Sequence, residues 1–161
     1  MLRRQKGFTY LGVLLALGLA GMALATAGTV WSVERQRERE SELLWSGAQI
    51  RQAIMRYYQA APLGLHQYPR GLEDLLDDSR SGVAVHHLRR IYVDPVTGAA
   101  DWVMIRLADG ALIGVSSRSS VRPLKQARFT PDNIAFEEAD SYSDWRFVYL
   151  PQLTDSNAAP R

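Results

Sequence analysis

Three histidines, two serine pairs and one acidic run are the side chains of this sequence that could do chemistry. His86 and His87 are adjacent, and neighbours along an extended chain point to opposite faces, so they do not form a metal-binding spacing. With His66 they read as surface residues. Ser116-Ser117 and Ser119-Ser120 lie in no Gly-x-Ser-x-Gly elbow and have no base partner in view. Glycine spacing nowhere matches a phosphate loop. The absence of cysteine removes thiol nucleophiles, cysteine-ligated zinc and disulfides. These residue types predict that the chain is not an enzyme. The acidic run Glu137-Glu138-Ala139-Asp140-Ser141-Tyr142-Ser143-Asp144 could instead hold an ion. Calcium takes about six to eight oxygens, which carboxylates, hydroxyls and carbonyls of a short loop can supply. Asp140 and Asp144 are the expected ligands, and a solvated acidic turn is the competing reading.

The elements that must position these residues are legible in the C-terminal half. Trp102–Ala108 and Ala111–Ser116 are β-favouring runs that flank Asp109-Gly110, a strong hairpin signal. Trp145–Leu150 alternates and reads as a further strand, ended by Pro151. Leu72, Leu75 and Leu76 make a short helical face after the turn bracketed by Pro69 and Gly71. Asp94-Pro95-Val96-Thr97-Gly98 reads as a structural turn, since Asp can accept from its own downstream backbone and Pro fixes φ.

The N-terminal half is of another kind. Gly7–Val33 is a run of 27 residues without Asp, Glu, Lys, Arg, His or Pro. About 20 helical residues span a bilayer core, so this run is long enough to cross it. Arg3, Arg4 and Lys6 precede it and should stay on the cytoplasmic side. A cleaved secretory signal is the alternative, with Ala23-Leu24-Ala25 or Ala25-Thr26-Ala27 as its site. The charged stretch Glu34–Glu42 follows without a Gly or Pro, with Glu34, Glu38 and Glu42 near Arg35 and Arg39 at helical spacing. Leu43, Gly47, Ile50, Ile54, Tyr57 and Ala61 then repeat at steps of three and four, and Pro62 and Gly64 end the pattern. One helix is expected from about Phe8 to about Ala60, roughly 80 Å long, with a solvated middle. An anchor, a linker and a separate helix are the alternative.

The formal charge of +2 divides into +3 over the first seven residues and −1 over positions 8–161. A basic tip on a nearly neutral body predicts no nucleic-acid partner, which would need basic residues gathered on one face.

Lys6-Gly7-Phe8-Thr9-Tyr10-Leu11 before an apolar helix resembles the processing site of type IV pilins and type II secretion pseudopilins. Tyr68-Pro69-Arg70-Gly71-Leu72-Glu73-Asp74-Leu75-Leu76, then Leu88-Arg89-Arg90-Ile91 and Asp94-Pro95, is similar to the region that follows the long helix in major pseudopilins. Tyr92 replaces a family Pro, and Val96-Thr97-Gly98 replaces the usual Trp-Gly-Asn. The resemblance implies that a prepilin peptidase cuts between Gly7 and Phe8 and that Phe8 is N-methylated. It further implies a calcium loop near the C-terminus, to which Asp140–Trp145 is similar. The family carries Glu at the fifth mature position, where this chain has Gly12. A minor or tip subunit, or a divergent paralogue, is expected on that ground.

The expected organisation is a leader at 1–7, a transmembrane helix half at 8–33, an amphipathic half at 34–61, an α+β domain at 62–153 and a tail at 154–161. The fold class is α+β, pilin-like, a long N-terminal helix packed on a small antiparallel sheet. The chain is expected to be a single-pass inner-membrane subunit with a periplasmic domain, whose partners are other pseudopilin subunits, the prepilin peptidase, the assembly platform and membrane lipid. Ala16/Ala20, Gly21/Ala25 and Ala23/Ala27 would permit close helix approach. A minor pilin of a type IV pilus and an anchored periplasmic binding protein outside any filament are the alternatives.

Overall fold

The computed structural model describes residues 6–61 and 66–151, with side chains from 10–22 and from 31 onward within the helix. The leader residues Arg3 and Arg4, the expected helix stop at Pro62 and Gly64, and the tail from 154 lie outside the described residues. The chain divides into two compact units, Met1–Glu38 and Arg39–Arg161. Helix α1, Lys6–Gln59, contributes to both. It is continuous because no proline interrupts it and the charged stretch is made of good helix formers. Among the described residues, no helix is long and apolar enough to cross a membrane.

The second unit is α+β. Its sheet has three antiparallel strands in the order β1-β2-β3: β1 is Val103–Arg106, β2 Leu112–Ser116 and β3 Phe147–Val148. The hairpin expected around Asp109-Gly110 joins β1 to β2, with Val103 opposite Ser116 and Ile105 opposite Gly114. Gly110 adopts φ 86°, a conformation that favours glycine. β3 is shorter than the sequence suggests, because Trp145 ends a 3-10 turn, Tyr142–Asp144, instead of opening the strand.

The face of α1 that the spacing predicted is the one that packs. Leu43, Ile50, Ala53, Ile54 and Tyr57 are buried and join Leu112 and Val115 of β2, Phe147 of β3, and Leu72, Leu75 and Leu88 in one core. Each large aliphatic removed from water there contributes about 2 kcal/mol. Gly47 lies where the ring of Phe147 presses on the helix, so close that a Cβ at 47 would overlap it. Glycine at this step of the stripe is what lets β3 reach the helix. An aromatic group closes the far side: Phe136 stacks on Trp145 at 5.7 Å and meets Phe147 edge-on at 5.1 Å.

Candidate functional site

Every described side chain of α1 from Tyr10 to Met22 is exposed, among them Leu11, Leu14, Leu15, Leu17 and Leu19. Gly12, Ala16, Ala20 and Gly21 belong to this run, and a Cβ added at Gly12 or Gly21 would meet nothing within 4 Å. No contact within the described chain therefore demands glycine at either position. Gly7, Phe8 and Ala25 lie within α1, but the side chains of Phe8 and Ala25 are outside the described residues, as is that of Lys6, with which the helix begins. An exposed apolar surface of this extent is uncommon on a soluble monomer.

In the second unit, the polar groups that could act are tied into the fold. Glu40 was expected in a solvated middle stretch, yet it is buried at 4% exposure. Its Oε1 accepts from the backbone N–H of Leu124, the N–H of Lys125 at 3.2 Å and the hydroxyl of Tyr142 at 3.0 Å. A buried carboxylate is tolerated when donors surround it in this way. Glu40 thus pins two segments distant in sequence to the helix. The charged run around it gave no sign of this, since its partners are 84 to 102 residues away.

His87 is likewise buried, not on the surface where the sequence placed it. A turn closed by the Asp78–Val85 bridge brings it back to Asp78, whose Oδ2 lies 3.0 Å from His87 Nε2. Arg80 grips the same carboxylate with two bonds, Nε to Oδ1 at 2.8 Å and Nη2 to Oδ2 at 2.7 Å. Its guanidinium also lies 3.5 Å over the ring of Tyr57 and donates to the Tyr57 carbonyl at 2.8 Å. The Arg80 bonds hold the Asp78 carboxyl well below the usual carboxylate range, against the opposing effect of burial, and His87 adds to the lowering. This is an ion-pair anchor between the turn and helix α1, with no nucleophile at its centre. His86 is exposed and bonds the Leu76 carbonyl. His66, also exposed, stacks on Tyr58 at 4.8 Å.

Asp94 is fully buried and closes its turn as expected. Its Oδ1 accepts from the Val96 N–H at 2.8 Å and its Oδ2 from the Ser117 hydroxyl at 2.5 Å. The acidic run is drawn together by a capping box. Asp140 and Asp144 are both exposed, and Asp144 Oδ2 accepts from the Ser141 N–H at 3.1 Å and hydroxyl at 2.7 Å in a capping box. Among the described residues, no group of three or more His, Cys, Asp or Glu side chains could hold a metal. Asp144 is thus engaged by protein donors, and no third carboxylate or imidazole joins it and Asp140 among the described residues.

No known family, curated protein or solved structure matches the chain. The carboxylates buried in the second unit, Glu40, Asp78 and Asp94, each accept hydrogen bonds from protein donors. Among the described residues, the apolar surface of α1 at 10–22 is exposed to a partner.

Proposed function

We propose that this chain is a prepilin-like structural subunit of a type II secretion pseudopilus. In this reading, the leader is cut between Gly7 and Phe8, and the apolar half of α1 first resides in the inner membrane across 8–33. It then stacks against the helices of other subunits. The carrying observation is the exposed apolar surface at 10–22 of a helix whose C-terminal part is packed on a three-stranded sheet. Leaving so many leucines in water costs about 2 kcal/mol each, which lipid or neighbouring helices recover. Lys6-Gly7-Phe8-Thr9 at its start supports processing by a prepilin peptidase. Contacts between unlike patches of successive subunits then extend a filament instead of closing a ring.

Gly12 favours a tip or minor position. A membrane carboxylate is costly and is retained where it pairs with a neighbour's amine, and glycine cannot make that pair. Mass spectrometry of the mature N-terminus from membranes tests the reading. An N-methylated Phe8 is expected; an intact Met1, or a cut near Ala25–Ala27, overturns it.

A further inference from the structure

Trp45, Arg56, His86, Arg89, Arg90 and Tyr92 line an open cleft of about 810 Å3 that contains no acidic side chain. Trp45 is exposed and meets Tyr92 edge-on at 5.0 Å, and the Arg90 guanidinium lies 5.6 Å over the Tyr92 ring. Arg56 is committed in part, donating to the His87 carbonyl at 2.8 Å. Arg89 and Arg90 are exposed, and neither forms a salt bridge among the described residues. Positions 129–145 of the same unit hold five acidic residues and no basic one. Of these, Glu138 and Asp140 are exposed and likewise form no salt bridge among the described residues.

We infer that the Trp45–Arg89–Arg90 cleft is a docking site for the acidic loop 137–144 of a second copy of this chain. The occupant follows from charge. From Arg39 to Arg161 the chain carries 14 basic and 15 acidic residues, so the unit has no net attraction for a polyanion such as nucleic acid. Its surface nevertheless carries one cleft lined by three arginines and no acid, and one loop, 137–144, with four carboxylates, two different patches. Patches that differ and complement each other pair heterologously, and such pairing is open-ended. The aromatic walls contribute by lowering the local dielectric around the arginines and by covering the backbone of an incoming loop. Taking a second copy as the occupant rests on the subunit reading above; the charge pattern itself does not.

Two differently tagged full-length copies, solubilised together in mild detergent, test the contact by co-purification. The wild-type pair is expected to co-purify, and about 0.5 M salt, where screening acts within about 4 Å, should reduce recovery at least fivefold. Arg89→Glu with Arg90→Glu, or Glu138→Arg with Asp140→Arg, should each lower recovery at least fivefold. Mixing the two variants should restore it, which also shows that both remain folded. Recovery that is indifferent to reversal, or not restored by mixing, overturns the proposal. So does restoration of the Arg89/Arg90 variant by reversing Glu34, Glu38 and Glu42, which would make the charged helix stretch the occupant. The N-terminal mass of the same preparation reports separately on processing. An N-methylated Phe8 with reversal-insensitive association sinks the contact alone, and charge-dependent association of chains that keep Met1 sinks the subunit reading alone.

Discussion

Asp78 is held by Arg80 and His87 in a setting almost closed to water, and its carboxyl is depressed below the usual range. A carboxyl whose folded value lies below its unfolded value of about 3.9 binds fewer protons in the native state. Its contribution to stability is complete above about pH 5 and is lost as pH falls through the unfolded value toward the folded one. Asp78→Asn should cost about 3 kcal/mol near neutrality, because the Arg80 charge loses its partner. The gap between wild type and variant should narrow on acidification below about pH 4, as seen in denaturation curves at several pH values. A gap constant with pH would mean that the pair adds nothing through ionisation. Glu40 makes a second residue-scale case. Glu40→Gln keeps the shape and removes the charge, which strengthens a hydrogen bond roughly twofold. The amides of Leu124 and Lys125 should then exchange with deuterium about tenfold faster, while those in the middle of β2 stay protected.

At the scale of elements, Gly47 decides how β3 meets α1. Alanine is favoured over glycine in a helix by about 1 kcal/mol, yet here its methyl would overlap the fully buried ring of Phe147. Overpacking of this kind costs about 1–3 kcal/mol and should outweigh the propensity gain, so Gly47→Ala should lower the melting temperature of the full chain. An unchanged or higher melting temperature would show that the ring can yield. The stripe through Leu43, Ile50, Ile54 and Tyr57 was legible because helix burial repeats every three to four residues. The hairpin at Asp109-Gly110 was legible because its turn chemistry is local. Glu40, His87 and Phe136 were not. Their burial depends on partners brought near by the fold, and nothing within a few residues of each announces it. Trp145 shows the same limit, since alternation read it as strand where the Ser141–Asp144 capping box draws it into a 3-10 turn. The acidic run was legible as composition, but which donors its carboxylates would choose was not.

For the whole molecule, the exposed glycine at position 12 separates the needs of the subunit from those of an assembly. A side chain there meets nothing of the described chain, so Gly12→Glu should leave the fold intact. In the proposed filament the restored carboxylate should raise the number of copies incorporated several-fold, counted by quantitative mass spectrometry of sheared filaments. Unchanged incorporation would remove the tip assignment. The buried clamp at Glu40 matters at this scale as well. Among the described residues it is the first along α1 whose side chain is enclosed. Any tension applied to the helix from its N-terminal end enters the second unit there and is shared at once with the backbone at 124–125 and with Tyr142. A subunit hauled by its rod would load those bonds together, since they share one oxygen of Glu40, so their loss is expected as one event.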